Sequence, residues 1–160
     1  MKGFLIDMNS DFGILTITAS GYLGTAELIR DNIKDGIKFC LSYSGPYIVN
    51  MIFACELYLK ALLCHDKIDY KKIHKLDELF ELLPEEYKQE ITNSYNSKVT
   101  NGISLNEFTQ KHANAFVEKR YPNESCNQES LLFENATAFA NALDELTVLM
   151  FNKETKENAD

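Results

Sequence analysis

Two charged side chains interrupt an otherwise apolar stretch of this sequence, which runs from Ser44 to His65. Glu56 and Lys60 stand four residues apart, so a helix would bring them to one face, where they can pair with each other or with a bound group. Apolar residues recur around them in two adjacent rows at three- and four-residue steps, which predicts a helix that is buried on most sides. This pair is therefore either a structural ion pair or the floor of a binding site.

Arg120 is the second group that could do chemistry. Pro122 disfavours helical geometry at Tyr121, so a predicted helix ends with Arg120 in its last turn. A guanidinium at that place can bind a phosphate with two parallel hydrogen bonds, or form an ion pair with Glu56 or Glu124 that fixes the turn. Tyr121, between a helix and a proline, is expected to pack at the edge of the core rather than to act in catalysis.

The three histidines offer fewer possibilities. His112 lies eight residues before Arg120, on nearly the same helical face. It is either a proton-transfer group or a hydrogen-bonded core residue. His74 opens a predicted helix and is expected to serve the helix start and the packing of the loop. His65 lies between a cysteine and an aspartate, but neighbours on a helix point apart and no second pair completes a zinc site. No metal and no cofactor is predicted.

The bulk composition is that of a single globular domain. The chain has 160 residues, of which 45% are hydrophobic and 25% charged, and only three prolines and seven glycines interrupt it. Long uninterrupted segments of this kind favour helices. The formal net charge of −8 argues against broad, sequence-independent binding of nucleic acid, while a local basic site remains open.

The cysteines and the N-terminus indicate a cytoplasmic protein. The four cysteines have no C-x-x-C spacing and are expected to be buried thiols in a reducing compartment. The apolar run after Lys2 is interrupted at Asp7, which is unlike a signal peptide. No stretch is expected to supply the roughly 20 apolar residues of a membrane span.

The first third of the chain is predicted to hold an arm and two long helices. Residues 1–20 contain a turn signal and then a β-branched run, which favours a short β-hairpin or an extended arm. Helical spacing then extends from Thr25 to about Tyr43. The break at Ser44 is so short that the helix after it should be an antiparallel neighbour of the one before.

Further helix starts follow along the chain. A short pair of helices is predicted to begin at His74 and after Pro84. Ser104 and Glu107 form a capping box for a long helix that ends near Arg120, and Ser130 is a candidate cap for the last helix. The sequence thus predicts an all-α, up-and-down bundle of four long helices plus a short helix pair. Its predicted parts are the arm or hairpin at 1–20, the bundle at 21–152 and a disordered tail at 153–160.

Three segments resemble the successive landmarks of HEPN domains, whose name abbreviates higher eukaryotes and prokaryotes nucleotide-binding. They are ACELYLKALL (Ala54 to Leu63), HKLDELFELLP (His74 to Pro84) and FVEKRYPNES (Phe116 to Ser125). Their order and separation also match, and the resemblance covers roughly residues 22 to 150. It implies a helical bundle that is often a dimer and that frequently works beside a small nucleotidyltransferase, in prokaryotic toxin–antitoxin or defence operons.

The resemblance also implies a site, because many HEPN proteins are metal-independent ribonucleases. Their active site has an arginine, a polar residue and a histidine about four to six positions after the arginine. Arg120 stands at the place of that arginine, but positions 121 to 126 read Tyr-Pro-Asn-Glu-Ser-Cys, without a histidine. Cleavage of RNA through its own 2′-hydroxyl needs a group that exchanges protons near neutral pH, and imidazole is the side chain suited to it.

The sequence therefore predicts a non-catalytic, HEPN-like module. It is expected to bind a nucleotide or an RNA phosphate and to act through dimerisation or a nucleotidyltransferase-type partner. The predicted ligand-binding residues are Arg120, Tyr121, Glu56 and Lys60. The alternative is a divergent ribonuclease toxin that uses Arg120 together with Glu124 or His112.

Overall fold

The computed structural model describes residues 10–33, 42–100, 102–112 and 129–157. All regular secondary structure in these ranges is helical, which confirms the all-α class. In chain order the helices are α1 (Asp11–Asn32), α2 (Ser44–His65), α3 (Leu76–Glu81), α4 (Glu85–Lys98), α5 (Leu105–Lys111) and α6 (Glu129–Glu157).

Helix α2 is the central helix, as the sequence predicts. It ends at the expected residue, His65, but it begins at Ser44, where the sequence analysis placed a break. Most of its side chains are buried, and it packs against α1, α3 and α6. Its contact with α6 includes a 2.6 Å hydrogen bond between the hydroxyls of Tyr47 and Thr137. One side of α2 carries Glu56 and Lys60, so the buried core helix also positions the candidate site.

Helix α1 replaces the hairpin or arm that was expected for residues 1–20. Residues 11–20 are helical, whereas residues 1–9 lie outside the described ranges. Ser10 caps the helix by accepting a hydrogen bond from the backbone N–H of Gly13 at 3.0 Å. The hydroxyls of Thr16 and Thr18 donate hydrogen bonds to backbone carbonyls one turn earlier. The hydroxyls of this β-branched run are therefore hydrogen-bonded in the helix.

The first two helices are antiparallel neighbours, as predicted. The rings of Phe12 and His65 lie 5.3 Å apart and those of Tyr22 and Phe53 lie 4.5 Å apart, so the start of α1 meets the end of α2. The predicted helix from Thr25 to about Tyr43 is correct only as far as the end of α1. Residues 34–41 lie outside the described ranges.

The later helix starts largely agree with the sequence. Pro84 precedes α4 directly, and the Ser104 hydroxyl accepts a 3.2 Å hydrogen bond from the N–H of Glu107, which confirms Ser104 as the helix cap. That helix ends at Lys111, with His112 as a C-cap in a non-helical conformation, so the prediction of one long helix from Ser104 to near Arg120 is wrong. Residues 113–128 lie outside the described ranges. Helix α6 begins one residue before the predicted cap, Ser130.

Helix α6 also extends further than predicted. It remains helical to Glu157, five residues beyond the predicted end, in place of a disordered tail from residue 153. It runs parallel to α2 and antiparallel to α4. The second relation follows from a 2.7 Å bond between Ser94 and Glu145 and a 2.9 Å bond between Thr100 and Glu134.

Two of the helices have the length and apolar composition of a membrane span, contrary to the expectation that no stretch would. Of the apolar segment of α2 that is long enough to span a membrane, 72% is buried inside the protein, because α2 is the core helix. In α1 the buried share is 28%, so this helix exposes much of its apolar surface. The cytoplasmic location stays a prediction.

A segment between α4 and α5 is held against α6 by buried hydrogen bonds. The single proton of the Tyr95 hydroxyl is shared between two acceptors, the backbone carbonyl of Ile103 at 3.0 Å and the side-chain oxygen of Asn135. Burial raises the pKa of Tyr95 to about 12, so this hydroxyl stays protonated and able to donate. These bonds bring the backbone at Gly102 close to α6.

Gly102→Ala is therefore expected to lower the free energy of unfolding by about 1 to 3 kcal/mol. A Cβ atom at Gly102 would overlap Val99 Cγ1 and lie 2.7 Å from Asn135 Oδ1. Gly45→Ala is the matched control, because a Cβ atom there meets nothing within 4 Å. Urea unfolding of both variants makes the comparison, and equal stability of Gly102→Ala and wild type would contradict the close approach.

Glu134 makes the stability of the fold at this segment depend on pH. The N–H and hydroxyl of Thr100 donate to its carboxylate at 2.9 Å, which lowers the pKa of Glu134 below its ordinary value. A lowered pKa means that the stabilisation is present at neutral pH and is lost as the pH falls through the pKa of the folded state. We expect Glu134→Gln to be less stable than wild type at neutral pH and equally stable in acid, in urea unfolding at a series of pH values.

Candidate functional site

The candidate site is built around the buried carboxylate of Glu56. Its Oε1 atom accepts a hydrogen bond from Lys60 Nζ at 2.7 Å and lies 2.9 Å from His74 Nδ1. Lys60 Nζ and His74 Nδ1 are 3.4 Å apart. These three residues, called the Glu56 cluster below, join helix α2 to the start of α3.

The members of the cluster differ greatly in their contact with solvent. The exposed fraction of the side chain is 4% for Glu56, 12% for Lys60 and 73% for His74. A buried carboxylate thus holds an imidazole ring that is itself mostly in solvent. When Nδ1 carries the ring proton and donates to Glu56, Nε2 keeps its lone pair and can accept a proton or a hydrogen bond. A carboxylate orients an imidazole in the same way in catalytic triads.

Two tight turns in the connection between α2 and α3 bring His74 close to Glu56. Ile68 N–H donates to the carbonyl of Leu63 at 2.9 Å, and Ile73 N–H donates to that of Tyr70 at 3.1 Å. Each turn contains a lysine with a left-handed backbone, with φ of 58° at Lys67 and 71° at Lys72. A side chain other than glycine is uncommon in this conformation and costs free energy. The turns are nevertheless formed, because the apolar residues between them pack on the core.

The same connection concentrates positive charge. Residues 67–75, called the basic loop below, contain five side chains that are or can become cations. All five belong to exposed residues: Lys67, Lys71, Lys72, His74 and Lys75. Lys75 is paired with Glu78 at 2.8 Å, and Asp69 is the acid within the loop. A chain with a net charge of −8 therefore presents a local basic surface beside the Glu56 cluster.

The residues predicted from sequence are only partly brought together. Glu56 and Lys60 pair across one helical turn, as their spacing predicts. Arg120, Tyr121 and Glu124 lie outside the described residues, so the proposed meeting of Arg120 with Glu56 remains a prediction. His112 ends helix α5, with its ring 5.0 Å from that of Phe108.

His74 is the member that the sequence analysis did not assign to the site. It was expected to serve a helix start, but the cap position is Lys75 and α3 begins at Leu76. The imidazole faces Glu56, eighteen residues earlier in the chain. The signal in the sequence is only that a histidine follows the core helix after a short polar connection.

A second polar group ties the end of α2 to α4. His65 Nδ1 lies 2.6 Å from Asp66 Oδ1, which also accepts a 3.0 Å hydrogen bond from the hydroxyl of Tyr87. Burial and the neighbouring Asp66 carboxylate raise the pKa of Tyr87 above its ordinary value, so the phenol remains a donor. Within the described ranges, no three His, Cys, Asp or Glu side chains are arranged to hold a metal ion.

Comparison with protein families gives a match to a model described as HEPN domain, over residues 49–148. The match spans more than half of the chain. This chain belongs to the HEPN domain family. The matched residues include the whole Glu56 cluster and the basic loop of the HEPN domain, and they leave α1 outside. Comparison with curated proteins and with solved structures gives no significant match.

Proposed function

We propose that this HEPN protein binds the phosphates of a nucleotide or of RNA at the basic loop. The observation that carries the proposal is the position of His74, a member of the loop that is held by the buried carboxylate of Glu56. The exposed lysines of the loop supply the positive charge, and the Glu56 cluster fixes where the loop lies. Membership of the HEPN family is compatible with such a nucleotide- or RNA-related role.

The charge balance of the protein makes this binding local. Phosphates are repelled by the overall charge of −8 and attracted only where cations outnumber acids. A short contact of this kind predicts modest affinity and a small dependence on salt, since each neutralised phosphate of a single strand contributes a slope of about −0.7. Arg120 and Tyr121, predicted from sequence, belong to the same proposal as additional contacts.

The wider role follows from the family resemblance. We propose that the protein forms the up-and-down bundle of four long helices expected of HEPN domains and acts in the cytoplasm. We also propose a homodimer and a nucleotidyltransferase-type partner, in a toxin–antitoxin or defence system. Co-purification with the product of an adjacent nucleotidyltransferase gene is the observation that would support the last point.

Lys71→Ala/Lys72→Ala tests the binding site. We expect the affinity for a fluorescent single-stranded oligoribonucleotide at low salt to fall about tenfold, and the salt slope to shrink by about 1.4, for two lost phosphate contacts at about 0.7 each. Fluorescence anisotropy at several salt concentrations measures both quantities. Thermal shifts with nucleotides show whether a mononucleotide suffices, because a ligand that binds only the folded state raises its apparent stability.

The matched control is Lys111→Ala/Lys153→Ala, which removes two exposed lysines from α5 and α6. Both double variants change the net charge by the same amount. Retained binding in the control assigns the loss to the basic loop. Equal weakening in the two variants, or a wild-type protein that binds neither RNA nor nucleotide at low salt, would contradict the proposal.

The alternative function, a divergent ribonuclease, is favoured by one specific observation. The sequence lacks a histidine after Arg120, but the Glu56 cluster holds an exposed imidazole on a buried carboxylate. That is the type of group that RNA cleavage through the 2′-hydroxyl requires. In this alternative His74 supplies the proton acceptor, in place of the sequence-based candidates Glu124 and His112.

A further inference from the structure

Two cavities open side by side on the surface that α3, α4 and α5 form. The first has a volume of about 380 Å³ and lies between α3 and α5. The second has a volume of about 400 Å³ and borders α3, α4 and α5. Glu81 and Asn106 line both cavities, so the two adjoin, and together they are called the acidic groove below.

The acidic groove has an excess of negative charge. Its described lining contains one basic residue, Lys88, and four acidic residues: Asp77, Glu78, Glu81 and Glu85. Glu78 pairs with Lys75 at 2.8 Å, and Glu81 pairs with Lys88 at 3.1 Å. Asp77 and Glu85, one in each cavity, form no ion pair within the described ranges. The groove therefore offers two carboxylates that a cationic ligand can neutralise.

The carboxylate of Asp77 indicates what such a ligand would supply. Within the part of the chain that the structure describes, its Oδ1 atom is buried and has no hydrogen-bond partner. A buried carboxylate oxygen without a donor keeps its desolvation cost, and in folded proteins such atoms normally meet a donor. Asp77 lines the cavity between α3 and α5. A cationic donor that enters this cavity would provide the missing hydrogen bond.

The other lining residues suit a guanidinium group. Ile73 and Leu82 give the cavity of Asp77 an apolar wall, and Leu82 has an exposed fraction of 38%. Asn106 and Gln110 add amide oxygens that can accept further hydrogen bonds. A guanidinium carries five N–H donors in a planar fork that fits a carboxylate with two parallel bonds, and its aliphatic stem packs on apolar side chains.

We propose that the acidic groove is a docking site for a segment of a partner protein that carries two closely spaced arginines, one for Asp77 and one for Glu85. This inference does not depend on the proposed function, because the acids of the groove repel phosphates. Charge complementarity selects the partner. The net charge of −8 attracts a basic protein, and the two unpaired carboxylates determine where its cations bind.

The two carboxylates differ in how much they should contribute to this docking. Glu85 is exposed, and an ion pair formed in water contributes little to affinity. Asp77 is half-buried, so its pair with an arginine is less screened by water and salt. We therefore expect the cavity between α3 and α5 to provide most of the affinity and the second cavity to add to it.

The peptide acetyl-Arg-Ala-Arg-amide tests the groove in the intact chain. Titrated into isotope-labelled protein at low salt, it should shift the backbone NMR signals of α3 and of the first turns of α4 and α5. The dependence of these shifts on peptide concentration gives the dissociation constant. A peptide with citrulline in place of both arginines has nearly the same shape without the charge, and it should cause no shift.

Three variants assign the contacts. Asp77→Asn keeps the shape of the side chain and removes its charge, so we expect the dissociation constant to rise at least about tenfold. Glu85→Gln should raise it by a smaller factor. Glu90→Gln is the matched control, because it removes the same charge from α4 but lines the separate cavity beside His65. It should leave the dissociation constant unchanged, and thermal unfolding checks that each variant is folded.

Three outcomes would overturn the proposal. One is a wild type whose signals the arginine peptide does not shift. Another is an equal loss of affinity in Glu90→Gln and Asp77→Asn, which would assign the binding to the overall charge of the protein. The third is spermidine that shifts the same signals with equal or higher affinity, because the groove would then accept any polycation and not a guanidinium in particular.

Discussion

Glu56→Ala is expected to lower the free energy of unfolding by about 3 kcal/mol. The change removes the carboxylate that accepts the hydrogen bond of Lys60 and leaves that ammonium with an exposed fraction of only 12%. A buried cation without its partner keeps its desolvation cost and loses the attraction that offset it. The loss of the His74 contact adds little, because that ring is mostly in solvent. Urea unfolding at neutral pH measures the difference.

The pairing itself can be separated from the volume of the side chains by a double-mutant cycle. Lys60→Met should also destabilise the protein, because Glu56 is then a buried carboxylate without its cation. Glu56→Leu/Lys60→Met removes both charges and should cost much less than the sum of the single changes. A Glu56→Ala variant as stable as wild type, or additive single and double changes, would show that the pair does not stabilise the fold.

The sequence predicts the part of the fold that local patterns determine. Helix α2 was predicted over almost its whole observed length, because its apolar residues recur with helical spacing. The Ser104 cap was predicted for the same reason, since its hydrogen bond spans three residues. Such features depend on neighbours along the chain and need no knowledge of the rest of the fold.

Helix α1 was mispredicted because local preference and tertiary packing disagree there. The β-branched residues between Ile14 and Thr18 favour a strand in isolation. In the folded protein, Phe12 packs on the ring of His65 and Ala19 is fully buried, so one side of the segment gains more as a helix. Preferences of this size are easily outweighed by the burial of an apolar face.

The site was predicted only as far as it is local. Glu56 and Lys60 were paired correctly, because four residues make one turn of a helix. His74 could not be placed, since its position depends on two turns in which lysines adopt left-handed backbone conformations. The basic loop was not predicted either. The net charge of −8 is a sum over the whole chain, so it contains no information about where the cations lie.

His74→Gln has the largest expected effect if the protein is a ribonuclease. In that reaction the 2′-oxygen of a ribose attacks the adjacent phosphorus, its proton passes to Nε2 of His74, and the bond from phosphorus to the 5′-oxygen breaks. The departing oxygen takes a proton from water, which leaves a 2′,3′-cyclic phosphate and a 5′-hydroxyl end. Glutamine can keep a hydrogen bond to Glu56 but cannot accept this proton. We expect kcat to fall by about 10²–10⁴-fold.

The result separates the two proposed functions, because His74→Gln leaves the lysines of the basic loop in place. If His74→Gln loses cleavage while its RNA affinity is nearly unchanged, proton transfer is assigned to the Glu56 cluster. His112→Ala is the comparison variant, and loss of cleavage in it but not in His74→Gln would move the proton acceptor to the end of α5. The ring of His74 is largely exposed, so the variant should unfold within about 0.5 kcal/mol of wild type. A wild type that binds RNA and leaves it intact excludes the ribonuclease and retains the binding module.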